Sequence, residues 1–465
     1  MQADSAQPEP AAAAPRTEQH LSLDQARLLA AHALDTGRPA LAVDVTQGLL
    51  AANSKDSMAW YLQAAAQAQL RSPDAARRAA ARSYRTAADQ AGKFRAAQLA
   101  AQQALAAERP TLAQIWLRRT AIHAPSAQSE IRIAEDYDRL RQINPWRFRL
   151  RSELRPSNNV NNGADSTLEV IDGVPTLGRF GPRSVALAGI VGVIDTTLTR
   201  RLQQSARRLT TLSGRAYVQR VALSSSAQAE AAALAEQSNT SVPRNSEFGS
   251  TYGDLTLNHA FAVGPAERRG SAAVGLTLGT AWYGGEKSYD LVRVSARRSW
   301  QLSSQLGLTI SGSAEERLDP RSSSQDGQVF GLGLHLRRDL NNGNQMDISL
   351  ALRDAQAGHV NGTSTTTTLQ LTYQFSERIG PARISTGLIL GQADYPQYIA
   401  GFPARFLADG RKDQSIYADI NLLFEAYDYA GFAPNLRLRA GKRDSNHNRF
   451  ESRDISLSLG IESTF

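Results

Sequence analysis

The carboxyl-terminal segment of the chain alternates between apolar and polar residues. Ile455, Leu457, Leu459, Ile461 and Phe465 share one parity, and the residues between them are Ser, Gly, Glu or Thr. Because successive side chains of a β-strand point to opposite faces, this pattern predicts a strand with one apolar face. Strands of this kind close bacterial outer-membrane β-barrels, with apolar residues toward lipid and polar residues toward a lumen.

The same period of two extends from Pro145 to the end of the chain. It predicts fourteen strands, centred on 147–155, 185–199, 207–221, 252–262, 271–283, 289–300, 306–317, 328–338, 346–354, 365–375, 383–394, 415–427, 435–443 and 453–465. Each supplies the roughly 9 to 11 residues that a tilted strand needs to cross a bilayer. Strands of a soluble sandwich recur about every 8 to 12 residues, whereas these recur about every 23, which favours a transmembrane barrel.

The lengths of the connections orient this barrel. Those after even-numbered strands are short, while three after odd-numbered strands are long, namely 156–184, 223–251 and 396–414. Outer-membrane barrels have short periplasmic turns and long outer loops, so both ends of the barrel and the residues before it are predicted on the periplasmic side. Aromatic residues predict an inner girdle (Phe148, Phe261, Trp300, Tyr373, Phe375 and Phe465) and part of an outer one (Trp282, Tyr283 and Tyr289).

The first 144 residues follow a different period. Residues 1–20 are rich in Ala, Pro, Gln and Glu and predict a flexible leader. Residues 21–144 have helical spacing and predict seven helices, at 23–35, 40–52, 57–70, 75–88, 93–107, 112–123 and 127–142. Pro39, Pro73 and Pro110 open the second helix of successive pairs.

The spacing of these prolines, 34 and 37 residues, is near the tetratricopeptide repeat. Stacked helix pairs form a solenoid whose concave surface suits an extended polypeptide. A generic helical bundle is the alternative. Trp60 and Trp116 lie on apolar stripes and are predicted to be core residues. The predicted domains are therefore the leader 1–20, a tetratricopeptide-like periplasmic domain 21–144 and a barrel 145–465.

Composition narrows the class of protein further. No run approaches the roughly 18 apolar residues of a membrane helix, and 42% hydrophobic residues require any insertion to use alternating strands. The net charge of +8 comes from scattered arginines, so no nucleic-acid-binding patch is indicated. No basic start or apolar segment follows Met1, which predicts that an export signal was removed, the alternative being a chain that is never exported.

No enzymatic motif is present in the sequence. The seven histidines include no pair at metal-binding spacing, and phosphate loops and nucleophile elbows are lacking. We therefore predict no catalytic, cofactor-binding or metal-binding residues and no cofactor. The alternative is a barrel protease or lipase that uses His259, His335 or His447 at the rim.

The strands nearest the point of closure predict a charged lumen wall. If the apolar parity faces lipid, the first strand directs Arg147, Arg149, Arg151, Glu153 and Arg155 inward, and the thirteenth directs Arg437, Arg439 and Arg443 inward. Buried charges in a lumen normally pair, which favours an ion-pair network that holds the barrel or a plug loop. The alternative is a contact surface for an acidic or polar passenger.

The junction of the two regions carries a family resemblance. Pro156-Ser157-Asn158-Asn159-Val160-Asn161-Asn162 follows the first strand, after helical repeats and before the rest of a fourteen-stranded barrel. This order resembles the surface lipoprotein assembly modifiers (Slam), with Ser157, Asn158, Asn159, Asn161 and Asn162 as the motif. Asn-rich turns also occur for conformational reasons, because Asn tolerates left-handed backbone angles.

The resemblance implies a two-domain outer-membrane protein that carries particular lipoproteins, or soluble haem-binding proteins, from the periplasm to the surface. Its implied partners are that client, the barrel-assembly machinery and outer-membrane lipid. The rival interpretation is a polysaccharide export porin whose helical repeats scaffold synthesis. A third is an adhesin that uses its long outer loops.

Overall fold

The computed structural model describes residues 21–265, 270–401, 403–427 and 432–463. Two compact units meet in the sequence between Asn144 and Pro145. The first contains stacked helices, and the second a closed fourteen-stranded antiparallel barrel, so the predicted fold class is confirmed. The leader 1–20 and Phe465 lie outside the described residues. No helix in the described ranges is both long enough and apolar enough to span a membrane.

The helices of the first unit begin and end within three residues of their predicted bounds. They are α1 (Leu23–Asp35), α2 (Pro39–Ala52), α3 (Ser57–Gln69), α4 (Pro73–Thr86), α5 (Gln90–Ala106), α6 (Pro110–Ile122) and α7 (Ala127–Ile143).

The helix starts alternate between two local signals, which explains the two-helix repeat. The odd-numbered helices begin after a Ser or Asp whose side chain accepts a hydrogen bond from the third amide of the helix, at Ser22, Asp56, Asp89 and Ser126. The even-numbered helices begin with proline and have no side-chain cap. Proline replaces the cap because its missing N–H would have no partner in the first turn.

Alanine dominates the core of this unit and lets the helices approach closely. The largest buried cluster joins alanines of α3 to α6 with Trp116, Leu117 and Leu140. Trp116 is 4% exposed, which confirms it as a core residue. Trp60 is partly buried against the same cluster, and its indole N–H donates to the carbonyl of Ser54.

The turn inside each helix pair has one residue in the left-handed region, and only the first is glycine. Gly37, Arg71 and Glu108 have φ of 68°, 55° and 57°. An L-residue with a Cβ is disfavoured there, so Arg71→Gly is expected to stabilise the fragment 21–144 by about 1 kcal/mol. Thermal unfolding followed by circular dichroism measures this. Arg78→Gly, in the exposed interior of α4, should instead cost about 1 kcal/mol, and equal losses for both would contradict the assignment.

The second unit contains fourteen barrel strands and two small hairpins. The barrel strands are β1 (Trp146–Ser157), β4 (Gly189–Gln204), β5 (Arg208–Leu223), β6 (Ser250–Val263), β7 (Gly270–Tyr283), β8 (Glu286–Gln301), β9 (Leu306–Leu318), β10 (Gly327–Asp339), β11 (Gln345–Ala357), β12 (Ser364–Ile379), β13 (Ala382–Tyr395), β16 (Arg411–Leu423), β17 (Phe432–Ser445) and β18 (Ser452–Ser463). The hairpins are β2 (Leu168–Ile171) with β3 (Val174–Arg179), and β14 (Ile399–Ala400) with β15 (Arg405–Phe406).

Every barrel strand pairs with its neighbours in antiparallel order, and β18 closes the sheet against β1. Connections 205–207, 302–305, 340–344 and 380–381 are short and lie at one end. At the other end 158–188, 224–249 and 396–410 are long, whereas β7 and β8 are joined by the two glycines 284 and 285, both with positive φ. We call the end with the long loops the outer end, by analogy with outer-membrane barrels in general.

Exposure alternates along the strands as a transmembrane barrel requires. Leu332 and Leu459 are 62% and 61% exposed, while Ser456 and Ser458 are each 4% exposed. Apolar side chains thus cover the outside and polar ones face the lumen. Tyr289 contradicts the predicted outer girdle, because it shares the inward parity of Arg293 and the guanidinium of Arg317 lies 4.6 Å from its ring.

Candidate functional site

Ion pairs between neighbouring strands fill much of the barrel wall on its lumen side. Arg215 on β5 binds both oxygens of Asp195 on β4, at 2.9 and 2.7 Å. Glu315 on β9 accepts from Arg293 on β8 and from Arg317 on its own strand. Because these partners come from adjacent strands, they brace the sheet and neutralise one another's charge.

The predicted charges of β1 form a looser group. Arg151 and Arg155 each lie 3.9 Å from the carboxylate of Glu153, and Arg155 also lies 4.0 Å from Asp454 on β18. Arg147 and Arg149 are exposed, and among the described residues neither has a carboxylate within 4.0 Å. Three of the five predicted charges on β1 thus form an ion-pair group, whereas Arg147 and Arg149 have no carboxylate that close among the described residues.

The predicted arginines of β17 have no anionic partner in the described parts of the chain. No carboxylate lies within 4.0 Å of Arg437, Arg439 or Arg443 there, and Nε of Arg437 and of Arg439 is buried without a hydrogen bond. The guanidinium of Arg439 lies 4.4 Å from the ring of Tyr417. These arginines thus take part in no close ion pair among the described residues, although Asp419 on β16 lies opposite Arg439 in the strand register.

A Ser, a His and an Asp meet on β10 and β11. Nδ1 of His335 lies 2.9 Å from Oγ of Ser349, and Nε2 lies 3.2 Å from Asp347. Arg337 also binds Asp347, at 3.1 Å. Regular pairing of these strands uses their backbone amides, which leaves none to converge on an oxyanion. His259 bonds Thr210, and His447 lies in an outer loop, so the three histidines do not meet.

No group of three or more His, Asp or Glu is placed to hold a metal ion in the part of the chain that the structure describes.

The Asn-rich motif folds the first outer loop back onto itself. Asn161 is 8% exposed, and its side chain donates to the carbonyls of Arg183 and Val185 and accepts from the amide of Leu187 at 3.0 Å. Asn159 bonds both backbone groups of Gly163, at 2.7 and 2.8 Å.

The remaining motif residues play smaller parts. Oγ of Ser157 accepts from the amide of Asn159, and Asn162 has a φ of 52° with its carbonyl accepting from Arg449. Asn158 is exposed. The side-chain hydrogen bonds of Asn159 and Asn161 therefore fix the backbone of the first outer loop, and we call them the staple. Left-handed backbone angles explain only Asn162.

The connection after β5, which the sequence predicts as a long loop, contains a helix. This helix, α8 (Ser225–Ser238), follows β5 and is capped by Ser224. Its alanines pack with Phe248 against Val160 and Leu187 of the first outer loop and against the outer ends of β4 and β5. The buried alanines at positions 227, 231 and 235 have helical spacing, which is the signal in the sequence that indicates this helix.

The hairpin of β2 and β3 is fastened to two other outer loops. Nε2 of His447 lies 3.0 Å from Oε1 of Glu169, and Ile171 packs against Tyr398 and Leu407. The pair is deeply buried, since His447 is 4% exposed and Glu169 7%. The hairpin is thereby held where the loops after β13 and β17 meet.

The pKa of His447 makes this attachment sensitive to pH. Burial lowers the pKa of His447 below its ordinary value of 6.5; Glu169 opposes the shift, and Arg411 and Arg449 add to it. Because the unfolded state then binds more protons between the two pKa values, docking of the hairpin weakens as pH falls through about 6.5. Protease cleavage within 168–179 should be faster at about pH 5.5 than at 7.5. His447→Gln should abolish this difference, and a difference that persists would contradict the role of His447.

Comparison with known proteins gives likenesses of architecture. No protein-family model and no functionally described protein matches the sequence. An outer membrane channel from Pseudomonas putida F1 matches at 12% identity over 69% of this chain and 96% of its own, with a TM-score of 0.32. A bacterial polysaccharide outer membrane secretin matches at 9% over 68% and 98%, with a TM-score of 0.34.

The helical region has its own likeness. The type III secretion translocator chaperone SycD of Yersinia enterocolitica matches at 17% identity over 27% of this chain and 88% of its own, with a TM-score of 0.25. The fold itself, a closed antiparallel barrel preceded by helical repeats, follows from the strand order and the helix pairs described above.

Proposed function

We propose that this protein is an outer-membrane translocator that delivers client proteins, surface lipoproteins or soluble haem-binding-type proteins, from the periplasm to the cell surface or medium. The observation that carries the proposal is the combination, in one chain, of a helical-repeat unit with a charged barrel whose outer mouth holds fastened loops. In this scheme the helices lie in the periplasm, capture the client and deliver it to the barrel.

The surface chemistry of the helical unit supports capture of a polypeptide. The guanidinium of Arg82 lies 4.6 Å from the ring of the partly buried Trp60 and forms a cation–π pair at this surface. Large apolar residues are also exposed, including Leu28 at 72% and Ile131 at 53%. Cation–π pairs and exposed apolar side chains are a combination that binds extended peptide segments.

The decisive experiment compares surface proteins in three strains. One expresses the full chain, one lacks the gene, and one expresses a chain without residues 21–144, whose barrel has its own core. Surface biotinylation should show one or a few proteins lost without the gene and not restored by the truncated chain. Heat-dependent mobility on gels verifies that the truncated barrel has assembled. If every surface protein remains in the strain without the gene, translocation of clients is excluded.

Export of an acidic polysaccharide is the second candidate, and the unpartnered arginines of β17 favour it. Charge reversal of Arg437 and Arg439 to Glu should then reduce surface polymer while surface proteins stay unchanged. The matched control reverses Arg378 and Arg383, which pair with Glu425 at the end of the barrel where the short connections lie. Loss of surface proteins with normal polymer would favour the first candidate.

A further inference from the structure

The closing seam of the barrel is incompletely paired. β1 pairs with β4 over its whole length, from Trp146 to Ser157, whereas its described pairing with β18 covers only Arg151–Leu154 against Leu459–Glu462. β18 itself pairs with β17 from Ser452 to Ser463. The outer half of the seam, where 155–157 face 456–458, therefore lacks a backbone ladder although all of these residues are described.

A proline explains where the ladder stops. The amide of Leu150 donates to Oγ of Ser463 on β18, 3.3 Å away. Because amides along a strand point alternately to its two neighbours, Leu150, Ser152, Leu154 and position 156 all face β18. Position 156 is proline, which has no N–H, so the donor that would continue the ladder is missing.

Side chains cover this stretch of the seam on the lumen side, where Ser456 and Ser458 are each 4% exposed, but not on the lipid side. Ile455 is 77% exposed on the lipid face, the highest value for a large apolar side chain in the described barrel strands. Across the outer half of the seam, among the described residues, Arg155 and Asp454 form an ion pair only at 4.0 Å. Backbone groups without hydrogen-bond partners are costly in hydrocarbon. A stretch of seam without a ladder is therefore expected only where it serves a function or where a polar molecule pairs with it.

We propose that the outer half of the β1–β18 seam is a lateral portal through which acyl chains, attached to a polar molecule in the lumen, enter the outer leaflet. The two faces fit such an amphiphile, because Ile455 and Leu457 line this stretch toward lipid, while Ser456 and Ser458 line it toward the lumen and cover it until the strands separate. The inference deepens the proposed function by assigning acylated polypeptides as the client class.

The portal can be tested without a client, because the chain has no cysteine. Full-length Ser458→Cys is reconstituted in phosphatidylcholine vesicles and reacted either with N-hexadecylmaleimide dissolved in the bilayer or with a water-soluble maleimide. Ser313→Cys, on the lumen face of β9 between fully paired strands, is the control. The rate with N-hexadecylmaleimide divided by the rate with the water-soluble maleimide should be roughly tenfold higher at Ser458→Cys than at Ser313→Cys.

Restoring the missing donor should close the portal. Adding Pro156→Ala to Ser458→Cys should lower its ratio roughly fivefold to tenfold, the factor that one net backbone hydrogen bond gives. Pro434→Ala is the matched control, because the carbonyl of Pro434 accepts from Phe424 and its missing donor faces β16. That change should leave the ratio as it was.

Three results would overturn the portal. These are equal ratios at Ser458→Cys and Ser313→Cys, equal effects of Pro156→Ala and Pro434→Ala, and failure of both reagents at Ser456→Cys as well as Ser458→Cys. Each leaves the proposed function standing, because that function is tested by the surface proteins of the strain without the gene. Conversely, a reactive seam with no surface protein lost would retain the portal and remove the client.

Discussion

Replacing Leu371 by Arg is expected to cost about 2 to 4 kcal/mol of barrel stability, because the side chain would face hydrocarbon near the middle of a strand. Leu371 lies centrally in β12, and its register neighbours Ile348 and Leu388 share the lipid face. Unfolding by guanidinium in phospholipid vesicles measures the difference from the unsubstituted protein.

The neighbouring residue supplies the control. Gln370 has the opposite parity and is exposed on the lumen side, so Gln370→Arg meets water and polar groups and should change the stability by less than about 1 kcal/mol. Both substitutions thus introduce Arg at adjacent positions of β12, one on the lipid face and one on the lumen face. If they cost the same, the assignment of lipid and lumen faces is wrong.

The barrel could be predicted because the alternation within each strand shows which residues face lipid and which face the lumen. Each of the fourteen predicted strands overlaps one barrel strand, including weakly apolar ones such as β8 and β16, although the predicted ranges 185–199 and 415–427 are displaced by about four residues from β4 and β16. A strand between lipid and lumen must alternate at each residue, so the signal persists even where charges are frequent. The helices could be predicted equally well, because Ser, Asp and Pro mark the residues at which they begin.

The architecture of the outer mouth could not be predicted in this way. The β2–β3 hairpin is held by Glu169 and His447, which are 278 residues apart, and no local period records such a contact. The helix α8 did have a local signal in its alanines, but it lay inside a segment interpreted as a loop. The alternation in β17 predicted that Arg437 faces the lumen. It did not show whether a carboxylate lies nearby, because ion pairing depends on the register between strands.

The motif after β1 yields the second large effect. Asn161→Ala removes three hydrogen bonds and leaves the carbonyls of Arg183 and Val185 and the amide of Leu187 without partners at a buried site. Unsatisfied buried groups are costly, so the folded first outer loop should lose about 2 to 4 kcal/mol, whereas the strands keep their ladder. Hydrogen exchange at 185–187 should accelerate, and single-channel conductance should rise if this loop narrows the passage.

Asn158→Ala is the matched control within the same motif, because Asn158 is exposed and the staple is made by Asn159 and Asn161. It should leave exchange and conductance unchanged. Equal effects of the two substitutions would mean that the motif acts through recognition of another molecule rather than through the loop. An effect on client display from Asn158→Ala alone, with the loop intact, would assign recognition to its exposed side chain, because the buried staple would then be undisturbed.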